Sequence, residues 1–136
     1  MITDANPKEI LSIATALADV VPHLPFHVAS LATVKVRWDD QCGHNGVLGH
    51  YRPVLEPDVI CLSSFLQGQW KLAAATACHE LRHVQQRRDM GLILFTLASI
   101  PVVRRFALEA SAWSNERVAD ELLGFKGMND DEIAFF

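Results

Sequence analysis

The chain has 136 residues, of which 50% are apolar, enough to bury the core of one ordinary domain without disulfide bonds. We therefore expect a single domain over residues 1–136. The formal net charge of -4 and the scattered lysines and arginines give no electrostatic footprint for nucleic acid or an anionic membrane, and both classes of partner are disfavoured.

The N-terminal stretch and the cysteines indicate a reducing compartment. The sequence MITDANPKEI has an acidic start and no cationic stretch leading into an apolar one, so it does not resemble a secretory signal. Cys42, Cys61 and Cys78 are an odd number of thiols without a C-x-x-C pair, which argues against a disulfide framework. We expect a cytoplasmic protein.

The first predicted element is a helix that follows Asn6. Asn6 can cap this helix, Pro7 suits its first position and Glu9 can complete a capping box. Apolar residues at helical spacing continue to Val21, and we expect Pro22 to end the helix.

Residues 27–63 change to a period of two. Val34, Val36 and Trp38 alternate with two basic residues, which is the pattern of a half-buried strand. Two further strands are predicted in GVLGHYRPV and DVICLSS, after the turn-rich loop DDQCGHNG. The first half of the chain therefore predicts a small antiparallel sheet beside the N-terminal helix.

The second half of the chain returns to the helical period. One helix is predicted over residues 70–90, ended by Gly91, and a last helix over residues 101–123, ended by Gly124. The order helix, strands, helix, helix predicts an α+β fold with the helices on one side of the sheet.

An uncharged apolar run, GLILFTLASIPVV, connects these two helices over residues 91–103. It is shorter than the roughly 20 residues that a membrane-spanning helix needs, and Pro101 interrupts it. We expect no membrane span and interpret the run as a buried connection; the alternative is a patch that contacts a membrane or a partner.

The sequence HELRH, which starts at His79, lies within the predicted helix over residues 70–90 and has the pattern HExxH. Residues four apart lie one turn apart on the same face, so His79 and His83 can bind one zinc ion. Glu80 can then act as the general base on a zinc-bound water, which serves as the nucleophile in peptide-bond hydrolysis. Given the composition, about 0.01 chance matches to this pattern are expected, so coincidence is a weak explanation.

A third ligand should complete a catalytic zinc site and leave the fourth position for water. The other histidines of the chain all precede the motif, so a carboxylate is the expected third ligand. Glu109 and Glu116 are seven residues apart on one face of the last predicted helix. Each glutamate begins an E-x-x-A unit, whose small residue permits close approach of two helices.

The region over residues 70–124 resembles a small gluzincin, a zinc metallopeptidase in which a glutamate on a following helix completes HExxH. The sequence HVQQ, which begins at His83, is similar to short bacterial and phage proteins of the HExxHVxQ type, which carry E-A-x-A-aromatic after an arginine pair. Arg104 and Arg105 followed by the unit that starts at Glu109 match that pattern, so this resemblance favours Glu109. Glu116 instead begins a unit similar to the E-x-x-A-D of integral-membrane gluzincins and is the alternative third ligand.

The prediction from the sequence is therefore a minimal zincin-like peptidase with a peptide or protein substrate. His79, His83 and Glu109 would bind Zn²⁺, and the strand within residues 46–54 would hold the substrate. One alternative is a non-catalytic or phage-derived zinc protein, its site closed by His50, His44 or Glu116. The other is a metal-free helix with two surface histidines.

Overall fold

The structure, a computed structural model, describes residues 2–42 and 47–124. The elements in chain order are β1 (Ile2–Asp4), α1 (Pro7–Ala18), β2 (Lys35–Asp39), β3 (Gly49–Tyr51), β4 (Val59–Ser63), α2 (Trp70–Ala98), α3 (Pro101–Arg104), a π-helical segment (Arg105–Glu109) and α4 (Ala110–Leu123). Short 3₁₀ helices cover Val21–His23, Leu31–Thr33 and Ser64–Leu66. The predicted α+β class is confirmed.

The helix α1 begins as its sequence predicts. The Asn6 side chain accepts a hydrogen bond from the backbone of Glu9, and the Glu9 carboxylate accepts one from the backbone of Asn6. This capping box satisfies amide groups that the first helical turn would otherwise leave without partners. The helix ends at Ala18, earlier than expected, and Pro22 lies in the 3₁₀ turn that follows.

The sheet has the strand order β1-β2-β4-β3. β1 pairs antiparallel with β2, and β3 pairs antiparallel with β4. The central pair, β2 and β4, is parallel, so the expectation of an antiparallel sheet was wrong at this position. After β2 the chain forms β3 at the edge of the sheet and then returns as β4, which lies between β2 and β3. The pattern of alternating apolar residues identifies a strand, but it does not identify the strand's neighbours.

One face of the sheet packs against the helices. Val36 lies opposite Ile60 and Trp38 opposite Leu62 across the parallel pair, and all four side chains are buried. Apolar residues of α1, α2 and α4 complete the core on this face; they include Ile13, Leu17, Ala73, Ala77, Leu81, Val84 and Ala119. Because the small residues of α2 let it lie close to the sheet, the residues of its HELRH segment are held at the centre of the molecule.

The apolar run over residues 91–103 is not the buried connection that the sequence suggested. Gly91 has a positive φ of 77° and ψ of 172°, a backbone conformation that is available essentially to glycine, and α2 changes direction there. Beyond it, Phe95 is buried, but most of the large apolar side chains are exposed. No helix among the described residues is long and apolar enough to cross a membrane.

Candidate metal centre

The two histidines of the HELRH segment lie side by side inside the protein. Both His79 and His83 are buried, and their Nε2 atoms are 3.1 Å apart. Their helical spacing of four residues brings both rings to the same face of α2. The alternative of two surface histidines is therefore wrong, because neither side chain lies at the surface.

Glu109 lies at the end of the π-helical segment and points at both histidines. Its Oε1 is 2.6 Å from Nε2 of His83, and its Oε2 is 3.4 Å from Nε2 of His79. A π-turn adds one residue to a helical turn, and such turns frequently occur at functional sites. Here the turn ends at the residue that completes the cluster.

Together these three side chains form a group that could hold a metal ion. One ligand atom from each of His79, His83 and Glu109 lies within 4.8 Å of the other two. Around a tetrahedral zinc ion with bonds of roughly 2.0–2.1 Å, ligand atoms are separated by about 3.3 Å. The separations of 2.6–3.4 Å fit a common ion with only small side-chain movements. Two imidazoles and a carboxylate are also a donor set that zinc accepts.

The other ring nitrogen of each histidine also meets an acceptor. Nδ1 of His83 lies 2.9 Å from Oε1 of Gln86, whose amide nitrogen donates to the Leu108 carbonyl and the Ser111 hydroxyl, both at 3.0 Å. Nδ1 of His79 lies 3.2 Å from Oε1 of Glu116, within ion-pair distance but not aligned for a hydrogen bond. A proton held on Nδ1 leaves the Nε2 lone pair available for a metal, as is usual for metal-binding histidines.

Glu80 is buried beside the cluster and lines the same cavity of about 270 Å³. Its Cγ lies close to Gly49 of β3: a Cβ atom built on Gly49 would be 3.2 Å from it. The cavity therefore lies between α2, the edge strand of the described sheet and the last helices. Residues that line it from these elements include Gly49, His50, Glu80, Phe95, Arg104 and Trp113.

Three carboxyl groups surround the two imidazoles: Glu80, Glu109 and Glu116 are all buried there. Burial opposes a positive charge on His79, but the close carboxyl groups of Glu109 and Glu116 outweigh it and raise the pKa of His79 to about 10. Burial likewise opposes the charge of Glu109, yet its contacts with both histidines hold its pKa well below the usual range. Such a site favours a bound cation, either a proton or a metal ion.

The remaining residues singled out in the sequence lie apart from the three candidate ligands. His50 lines the cavity, but its Nε2 is 3.1 Å from the Asp39 carboxylate. The Tyr51 hydroxyl donates to the Pro57 carbonyl at 2.6 Å, so Tyr51 is a packed residue of the sheet. Cys78 is buried in the core, and His44 lies outside the described residues.

Three contributors to the site stand in motifs quoted from the sequence, but no role was predicted for any of them. Gln86 follows His83 by three residues on the same helical face, and this spacing could have identified it as a partner of His83. The Trp113 ring packs edge-on against His79, with centroids 4.6 Å apart. The guanidinium of Arg104 reaches to 3.6 Å from Oε1 of Glu109, a contact that no local pattern predicts because the π-turn intervenes.

Comparison of the chain with protein-family models, curated proteins and solved structures found no match.

Proposed function

We propose that this protein is a zinc-dependent metallopeptidase of the gluzincin type, with His79, His83 and Glu109 as the zinc ligands. The observation that carries the proposal is the convergence of their ligand atoms within 4.8 Å at the wall of a cavity that Glu80 also lines. Glu116 orients His79, because the Glu116 carboxyl group lies on the opposite side of the imidazole ring from Glu109.

The residues around the cavity have separate roles in hydrolysis. A bound zinc ion would act as a Lewis acid that activates a water molecule and polarises the substrate carbonyl. Glu80 accepts a proton from the attacking water and delivers it to the leaving amine. Gln86 and Glu116 hold the imidazole rings in place, and the apolar ring of Trp113 limits the access of bulk water to His79.

The β3 edge of the sheet can bind an extended peptide. β3 is the edge strand beside β4, and Gly49, His50 and Tyr51 all line the cavity. An extended substrate can add to this edge through main-chain hydrogen bonds, which brings a peptide bond past Glu80. The substrate we propose is therefore a flexible or extended segment of a peptide or protein.

The cavity favours catalysis over a zinc clamp between helices. A structural zinc site is closed by four protein ligands, whereas a catalytic site keeps one position for water. Among residues 2–42 and 47–124, three side chains could bind the ion, namely His79, His83 and Glu109. All three line the cavity. We also propose that the protein acts in the cytoplasm, because Cys42, Cys61 and Cys78 are all free thiols.

The test is hydrolysis of a denatured, fluorescein-labelled protein by the zinc-loaded chain. Glu80→Gln should bind zinc normally and lower kcat at least about 100-fold, because the base is lost while the ligands remain. Glu121→Gln, which changes an exposed glutamate of α4, serves as the matched control and should retain full activity. Equal turnover by wild type and Glu80→Gln, or by the zinc-loaded and metal-free protein, would contradict the proposal.

A further inference from the structure

The helical corner formed by residues 92–106 exposes a concentration of apolar side chains. The side chains of Ile93, Val102 and Phe106 are 77%, 82% and 81% exposed. Leu92, Leu94, Leu97, Ile100 and Val103 are also exposed. Concentrations of exposed apolar side chains commonly mark an interaction site, so we expect this corner to have a partner.

The part of the corner that belongs to α2, residues 92–98, is called the first arm. The distribution of apolar side chains around this arm indicates what kind of partner can cover them. Leu92 and Leu94 are about 200° apart around the helix axis, and both are exposed. A flat protein surface covers one side of a helix and would leave one of these two side chains in water. A medium that surrounds the corner covers both.

The charges within the corner fit an anionic lipid surface, although the scattered lysines and arginines of the whole chain had argued against such a partner. Residues 90–108 contain no aspartate or glutamate, although the whole chain has a net charge of -4. Arg104 and Arg105 follow the apolar residues of the corner, and both are exposed, although Arg104 also lies 3.6 Å from Oε1 of Glu109. Arginine at the boundary of an apolar helical face is the arrangement that binds lipid phosphates while the apolar side chains enter the acyl region.

From the exposed apolar side chains, their arrangement around the first arm and the two arginines, we propose that residues 92–106 insert into the surface of an anionic lipid bilayer.

Membrane binding would place the candidate metal centre beside the lipid surface. Phe95 and Arg104, which belong to the corner, also line the cavity. The substrate class that follows is an extended protein segment next to a membrane. This last step rests on the proposed function, whereas membrane binding itself does not.

The test is co-sedimentation of the full chain with vesicles of phosphatidylcholine and phosphatidylserine at 3:1. Wild type should bind, and a variant with Ile93→Ser, Val102→Ser and Phe106→Ser should bind roughly 100-fold more weakly, because three inserted side chains are lost. Arg105→Gln should lower the affinity for these vesicles about fivefold and leave binding to pure phosphatidylcholine unchanged. Because all four side chains are exposed, their replacement should preserve the far-ultraviolet circular dichroism spectrum.

The matched controls are Leu11→Ser and Leu55→Ser, which replace exposed leucines outside the corner and should bind as wild type does. Absence of vesicle binding by the wild-type chain would overturn the proposal, as would equal binding by the triple variant. A concentration-dependent dimer in sedimentation velocity that the triple variant abolishes, without vesicle binding, would assign the corner to a second copy instead. Vesicle binding does not depend on peptidase activity. A wild-type chain that binds vesicles but hydrolyses no substrate would therefore refute only the proposed function.

Discussion

The Nδ1 atom of His79 lies 3.2 Å from Oε1 of Glu116, on the side of the imidazole opposite the candidate metal position. Glu109 approaches the Nε2 side of the same ring. The two glutamates that were equivalent by spacing in the sequence are therefore different in the structure. One faces both histidines, and the other faces only the far side of one of them.

This difference predicts separate effects on zinc binding. Glu116→Gln should weaken zinc binding about 10- to 100-fold and keep one zinc per chain, because His79 is held less firmly but no ligand is lost. Glu109→Gln should weaken binding by a further tenfold or more. Competition with a zinc chelator measures both affinities, and a larger effect of Glu116→Gln would reverse the assignment of ligand and orienting residue.

Gln86 should matter for both stability and zinc affinity. Gln86→Ala removes the acceptor for His83 Nδ1 and leaves the buried Leu108 carbonyl without its amide donor. We expect a loss of about 1–3 kcal/mol in unfolding free energy and a 10- to 100-fold loss of zinc affinity. Gln85→Ala is the control, since the Gln85 side chain donates to Asp89 at the surface. Urea unfolding that cannot distinguish the two variants would refute the role of Gln86.

A methyl group at position 49 should disturb the general base more than the metal ligands. In Gly49→Ala the new Cβ would lie 3.0 Å from Thr76 Cγ2 and 3.2 Å from both Glu80 Cγ and the Cys61 carbonyl. We expect kcat to fall several-fold, because the Glu80 side chain must shift by a few tenths of an ångström and catalysis is sensitive to the position of the reacting group. Zinc stoichiometry should stay at one per chain. Unchanged kcat in this variant would show that Glu80 does not need its present position.

The metal-free protein should lose stability as the pH rises above the ordinary histidine range. Because folding raises the pKa of His79 from 6.5 to about 10, the protonated form stabilises the fold fully below about pH 6.5 and this contribution declines towards pH 10. Urea unfolding of chelator-treated protein between about pH 6.5 and 8.5 avoids most of the titration of thiols and tyrosine. The unfolding free energy of His79→Gln should decline less over this pH interval. A wild-type unfolding free energy that rises over the interval would contradict the raised pKa of His79.

The sequence predicted those parts of the fold that depend on local signals. The capping box at Asn6, the break at Gly91 and the left-handed Gly124 after α4 each reflect the conformational preference of one or two residues. The parallel pairing of β2 with β4 could not be predicted, because the strand that enters the central position is decided by packing across the whole sheet.

The candidate site was likewise predicted only where it depends on local spacing. The spacing of His79 and His83 predicts their shared face, and the spacing of Glu109 and Glu116 predicts that both lie on one face of the last helix. Which glutamate faces the histidines depends on how α2 and the last helix pack together, so that preference came from a resemblance. An exposed patch over residues 91–103 was predicted only as the alternative, because an apolar run has the same composition whether protein or another medium covers it.

The most direct test of the account is the zinc content of the purified full chain, measured by atomic absorption after incubation with zinc and removal of excess metal. We predict one zinc per chain in wild type and in Glu80→Gln, and loss of zinc in His83→Ala and Glu109→Gln under the same washing conditions. Wild-type protein that retains no zinc, or a His83→Ala variant that retains a full equivalent, would contradict a metal centre formed by His79, His83 and Glu109.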